Sequence, residues 1–121
     1  MTKKILVVED TEDNRQILRD LLGMAGYELI EAHDGAEGVV KAAEHRPDLI
    51  LMDIQMPVMD GYEATRRIKS DPALKAIPVI AVTSYALSGD EDKARAAGCD
   101  DYIAKPYSPR QMLAKVRGIV G

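Results

Sequence analysis

The 121-residue sequence has no phenylalanine and no tryptophan, and its only aromatics are five tyrosines. Its core must therefore be built from Ile, Leu, Val, Ala and Met. A single cysteine, Cys99, excludes an internal disulfide and a cysteine-based zinc site. No apolar run approaches the ~20 residues of a membrane-spanning helix. The opening Met-Thr-Lys-Lys leads straight into a strand-like run, unlike a signal peptide. Basic charge is not in excess either. Sixteen Lys and Arg stand against 20 Asp and Glu, for a net charge of −4, which argues against a general nucleic-acid binder. At 46% hydrophobic and 30% charged, the chain is globular and not disordered. The length suits one domain, 1–121, expected to be soluble and cytoplasmic.

Short apolar runs alternate with helical patterns. Ile5–Val8 is a strand run unbroken by polar residues, as expected of one buried on both faces. Ile17, Leu18, Leu21 and Leu22 recur at helical spacing, with Gly26 as the stop. Tyr27 to Ala32 reads as a strand. Asp34-Gly35 turns into a helix whose apolar positions are Ala36, Val39, Val40 and Ala43. Leu49–Met52 follows Pro47 as a third strand, and a helix runs from about Gly61 to Ser70. Pro78 to Val82 reads as a fourth strand, and a helix from near Gly89 to Ala97 stops at Gly98. Tyr102–Ala104 is a short fifth strand. Ser108 as N-cap and Pro109 as first residue open a last helix with apolar Met112, Leu113, Val116 and Val120. Five strand–helix units predict a parallel sheet covered by helices on both faces.

In such sheets ligands bind beyond the carboxyl ends of the strands. The first strand ends on Glu9-Asp10, the third on Asp53, the fourth on Thr83-Ser84 and the fifth on Lys105-Pro106. Singly, each has a dull explanation as a cap, turn residue or exposed charge. Jointly they place three carboxylates, a hydroxyl and an amine on one rim. Two like charges ~4 Å apart repel by ~4 kcal/mol at an effective dielectric of about 20. Lys105 offsets one charge, and a hard divalent cation with oxygen ligands, Mg²⁺ by preference, offsets the rest. A carboxylate beside such a cation and a lysine is arranged for phosphoryl transfer. Asp53, alone between the two groups, is the nucleophile candidate, and the adjacent Glu9 and Asp10 suit metal binding. Arg66, Arg67 and Lys69 read as a solvated helix face, Cys99 as a small apolar packer, and the six Met as core filler. His33 and His45 lie apart, off the acidic rim.

These residues carry a resemblance. Ile5–Asp10, Asp48–Gly61, Ala81–Thr83 and Lys105-Pro106, in that order, resemble the receiver domains of bacterial response regulators. The resemblance implies a flavodoxin-like (βα)5 fold with strand order 2-1-3-4-5. It implies a single-domain response regulator that takes a phosphoryl group on Asp53 from a sensor histidine kinase or a histidine phosphotransfer protein, and is not a turnover enzyme. It further implies Mg²⁺ held by Asp10, Asp53 and the backbone carbonyl of Gln55, with Glu9 acting through water. By the same resemblance Lys105 contacts the phosphate, Thr83 senses it, Tyr102 is the switch aromatic, and the Lys105–Pro106 bond is cis. On residue type alone, Tyr102 reads equally well as an edge tyrosine with its hydroxyl in water. The output face is expected on the fourth helix, fifth strand and fifth helix, with Tyr85, Tyr102 and Tyr107, meeting a downstream protein or a second copy of the chain. Ser84–Asp90 and Ala97–Tyr102 resemble hybrid-kinase receivers and stand-alone regulators of the DivK type more than receivers of DNA-binding factors, so neither DNA nor membrane is an expected partner.

Two rival readings differ in kind. An aspartate-nucleophile phosphatase of the haloacid-dehalogenase type would show Asp-x-Asp at its first strand, whereas here Asp53 is followed by Ile54-Gln55. A phosphate-independent adaptor would have no need of the acidic rim. A dinucleotide binder lacks support, since no Gly-x-Gly-x-x-Gly follows the first strand.

Overall fold

Each short apolar run forms a strand, and each strand is followed by a helix. The computed structural model describes residues 2–56, 59–83 and 90–121. In order the elements are β1 (Lys4–Val8), α1 (Glu12–Met24), β2 (Glu28–Ala32), α2 (Gly35–His45), β3 (Leu49–Asp53), α3 (Gly61–Ser70), β4 (Val79–Thr83), α4 (Asp90–Ala97), β5 (Asp101–Ala104) and α5 (Pro109–Val120). The strands form one parallel sheet in the order β2-β1-β3-β4-β5. Val8 pairs with Ala32 and Met52, Asp53 with Val82, and Thr83 with Ala104, so the carboxyl ends share one edge.

Alternation along the buried strands divides the core in two. Leu6, Val8, Ile50, Met52, Val79 and Ala81 meet Ala42 of α2, Ala64 and Ile68 of α3, and Ala94 of α4. Ile5, Val7, Leu49, Leu51, Ile80, Val82 and Ile103 meet Leu18 and Leu22 of α1 and Met112 and Val116 of α5. Helix starts follow local chemistry. Asp34 accepts from Glu37 N at 2.8 Å and Asp60 from Glu63 N at 2.9 Å. Ser108 and Gln111 form a reciprocal capping box at the start of α5. Gly98 follows α4 with φ at +106°, the left-handed cap its position announces.

Several expectations need correction. Val40 is 54% exposed and Ala43 is exposed, so they are not the buried stripe of α2. That stripe is Gly35, Gly38 and Ala42, because α2 lies so close to β1 that a Cβ on Gly38 would stand 2.9 Å from Val8 Cγ2. A contact made by glycine leaves no apolar signature. Ile17 is 57% exposed, standing roughly 100° around the helix from buried Leu18. Lys69 is not on a solvated face. Its ammonium donates to the Ile77 carbonyl at 2.7 Å and to Asp100 at 2.8 Å, joining α3 to the start of β5, while Arg66 and Arg67 are exposed and pair with Glu63. β4 is shifted by one residue to Val79–Thr83; Pro78, with no N–H to give, only accepts, from Ile50 N at 2.9 Å. The expected start of the fourth helix at Gly89 lies outside the described residues.

Candidate functional site

Strand order reverses across β1, leaving a crevice over the ends of β1 and β3. Glu9 and Asp10 follow β1 there, and Asp53 ends β3. One carboxylate oxygen from each of the three lies within 4.8 Å of the others. Lys105, just past β5, brings its ammonium to 3.4 Å from Asp53 Oδ2 and 3.6 Å from Glu9 Oε2. Glu9 and Asp53 are each only 4% exposed, whereas Asp10 is exposed.

One ammonium does not balance three carboxylates. Burial, and then the neighbouring Glu9, push Asp53 up to about 8. Glu9 is also penalised by burial, but hydrogen bonds from Asp53 and Asn14, with the charge of Lys105, hold it below the usual range. Ionising both buried carboxylates is therefore disfavoured until further positive charge enters the crevice. Three converging hard oxygens with surplus negative charge fit a divalent cation of the Mg²⁺ kind.

The surroundings fix this geometry. Gln55 donates its backbone N–H to Asp53 Oδ1 at 3.0 Å and its side-chain amide to Thr83 Oγ1 at 2.9 Å. Gly61, the first residue of α3, lies against the backbone of Asp53; an added Cβ would collide with the Asp53 carbonyl and stand 2.9 Å from Ile54 Cα. Lys105 N donates to the Thr83 carbonyl at 2.7 Å, and the following Lys105–Pro106 bond is cis. From α1, Asn14 donates to Glu9 Oε1 at 2.8 Å and Arg15 to the Glu9 carbonyl at 2.8 Å.

A sheet of this order with this acidic crevice narrows the field, and the sequence decides it. The profile of the response regulator receiver domain matches residues 5–117. The chain belongs to the response regulator receiver family. Over its whole length this receiver is 46% identical to the polar-differentiation response regulator DivK of Brucella ovis, covering 98% of that protein, and equally to DivK of Brucella anthropi. It is similar to the receiver domain of a sensor histidine kinase from Pseudomonas aeruginosa PAO1, whose structure has a magnesium ion coordinated in the active-site cleft. That likeness has a TM-score of 0.93 and 36% identity and covers 100% of this chain and 99% of the other. Chemotaxis protein CheY4 of Vibrio cholerae follows with a TM-score of 0.92 at 30% identity, covering 98% and 99% of the two chains. The chain is thus a DivK-like response regulator of a signalling family, with a cluster where receivers bind Mg²⁺. No helix among the described residues is long and apolar enough to cross a membrane.

Of the residues singled out by sequence, Glu9, Asp10, Asp53 and Lys105 come together, and Thr83 joins them through Gln55. Tyr102 packs against the cluster beneath α3 and α4 with its hydroxyl shielded from solvent, so the edge reading with that hydroxyl in water does not hold. Tyr107 is not beside Tyr102. It packs on the opposite side of the sheet with α1 and α5, and burial, then Glu9 and Asp53, raise its phenol above the ordinary value. The turn through Lys105 and Pro106 carries it there. Tyr85 and the rest of 84–89 lie outside the described residues. Sequence reasoning assigned nothing to Asn14 and Arg15; the available signal was their place one turn into the helix that follows Glu9-Asp10.

Proposed function

We propose that this receiver is a phosphoacceptor switch of a phosphorelay, a single domain acting in the cytoplasm. Asp53 takes a phosphoryl group from a phosphohistidine of a sensor histidine kinase or a histidine phosphotransfer protein. The P–N bond breaks, a P–O bond to the Asp53 carboxylate forms, and the imidazole leaves. The observation that carries this reading is the buried Asp53 carboxylate held between two further carboxylates and the Lys105 ammonium. Asp10, Asp53 and the Gln55 backbone carbonyl would hold Mg²⁺, with Glu9 acting through water. When bound, the ion neutralises phosphoryl oxygens. The Pseudomonas receiver, with its magnesium ion in the active-site cleft, supports magnesium as the ion. Lys105 meets a phosphoryl oxygen, and the reaction stops once the chain has modified itself.

Thr83, fully buried at the end of β4, donates to the new phosphoryl group and transmits its arrival. Tyr102, on the adjoining strand, moves with it. The output face comprises α4, β5 and α5, where Tyr102, Gln111 and Lys115 border a recess of about 450 Å³. A downstream protein docks there; a second copy of the chain is the other occupant, and sedimentation of the beryllofluoride complex separates the two. The donor has its own surface. A groove of about 940 Å³, lined by Ile17, Leu21, Met24, Tyr107 and Pro109, opens beside Lys105. Its continuity with the acidic site suits a protein carrying the phosphohistidine. Labelling by a small phosphodonor, with Asp53→Asn as control, tests the acceptor assignment. No DNA contact is part of this function.

A further inference from the structure

We propose that Asn14 is a positioning residue of the acidic site, acting through Glu9; the inference rests on the phosphoacceptor reading above. Glu9 is held from α1 at two points. Asn14 Nδ2 donates to Glu9 Oε1 and Arg15 Nη1 to the Glu9 backbone carbonyl, both at 2.8 Å. Arg15 is itself anchored, with Nη2 at 2.6 Å from Glu12 Oε2 and Nε at 3.5 Å from Glu31 Oε1 of β2. The buried guanidinium fixes the main chain of Glu9, and Asn14 is the side chain of α1 that directs its carboxylate, beside Asp53 and Lys105 from the sheet.

A glutamate here needs such a partner, because its long side chain has many rotamers to lose. With Oε1 committed to Asn14, Oε2 is the oxygen that faces Lys105, at 3.6 Å, while Lys105 stands 3.4 Å from Asp53. The ammonium is shared almost evenly between two carboxylates. Once released, Glu9 turns both oxygens on Lys105 and draws it away from Asp53, where the incoming phosphoryl group needs it. The neutral amide suits this task, since an ionised carboxylate at position 14 only accepts hydrogen bonds and would repel Glu9. Asn14 also lines both the α1 groove and the small cavity around Glu9 and Asp53. A donor filling the groove therefore touches the residue that orients Glu9.

The test compares the parent with Asn14→Ala, Asn14→Gln, Glu9→Gln and the double variant Asn14→Ala/Glu9→Gln. Alanine is a better helix former than asparagine, so α1 keeps its fold. Two readouts are used: the rate of labelling by acetyl phosphate at saturating Mg²⁺, and the NMR resonances of the Asn14 side-chain amide in metal-free protein. Asn14→Ala should slow labelling by roughly 10–100-fold, the range for removing a partner that orients a metal-site carboxylate. In the Glu9→Gln background the same change should have little further effect, and Asn14→Gln should recover part of the rate. Glu9→Gln should shift the Asn14 amide resonances without any metal present. Labelling of Asn14→Ala at the parental rate overturns the proposal, and so does an equal loss with and without the Glu9 carboxylate. If the parent never labels, the phosphoacceptor reading fails; the metal-free resonances then decide the Asn14–Glu9 contact, and an unshifted amide overturns it.

Discussion

Gln55 reaches from the loop after β3 to the end of β4, where its side-chain amide donates to the Thr83 hydroxyl at 2.9 Å. The same residue gives its backbone N–H to Asp53 at 3.0 Å. One residue thus touches both the acceptor candidate and the hydroxyl proposed to sense it. A threonine hydroxyl both accepts, as it does here from Gln55, and donates, which is the chemistry a phosphoryl oxygen requires.

The first prediction follows from this link. Beryllofluoride should shift NMR resonances of β4, Tyr102 and α5 in the parent. In Thr83→Ala those distal shifts should fade while the shifts around Asp53 persist. Losing the hydroxyl should lower stability by about 0.5–1.5 kcal/mol, the size of one hydrogen bond. Distal shifts of parental size in Thr83→Ala would remove the switch role.

The second concerns pH. An ordinary aspartate titrates at 3.8, and Asp53 in the chain on its own at about 8. Between those values the folded protein holds a proton that the unfolded chain has lost. Stability from this group is therefore full at low pH and falls as pH rises through the folded value. Glu9 is held below its ordinary 4.5, so its stabilising effect is present above that value and is lost only on further acidification. The window from about pH 5 to 8 belongs to Asp53. In EDTA the Tm should decline across it, Asp53→Asn should flatten the decline, and the gain from Mg²⁺ should grow with pH. A decline of equal slope in Asp53→Asn would contradict the assignment.

The third separates the two residues after β1. Asp10→Ala should weaken Mg²⁺ more than Glu9→Gln, whose cost should fall within roughly 10–100-fold, as for groups acting on a metal through an intermediary. Calorimetric titration measures both. The reverse order would place Glu9, and not Asp10, directly on the ion.

The fourth tests the backbone contact beneath the acceptor. Gly61→Ala drives a methyl group into the Asp53 carbonyl. It should cost about 1–3 kcal/mol as overpacking does. Urea unfolding reads the loss, and a variant as stable as the parent would show that α3 can shift away from β3.

Residues adjacent to a strand end announce their position, which is why Glu9, Asp10, Asp53, Thr83 and Lys105 are legible as one rim when taken together. Whatever depends on side-chain reach across elements was not. Asn14 looks like an ordinary polar helix residue until the turn after β1 brings Glu9 beside it. Lys69 reads as a surface charge, because nothing in its own helix reveals the Ile77 carbonyl and Asp100 waiting beyond α3. The α2 interface was misjudged for a packing reason: Gly38 lets the helix approach Val8. Val40 and Ala43 then fall on its outer face, while Ala42 stays buried. Tyr107 was placed by its nearness in sequence to Tyr102, although the turn through Pro106 carries it to the other side of the sheet.

The central claim is that Asp53 is the phosphoacceptor. Incubation with acetyl phosphate and Mg²⁺, followed by intact-protein mass spectrometry and mapping of the modified residue, tests it most directly. The account predicts one added phosphoryl group on Asp53, lost when EDTA replaces Mg²⁺ during labelling and absent from Asp53→Asn. Full labelling of Asp53→Asn, or a phosphoryl group mapped to another residue of the parent, would contradict it.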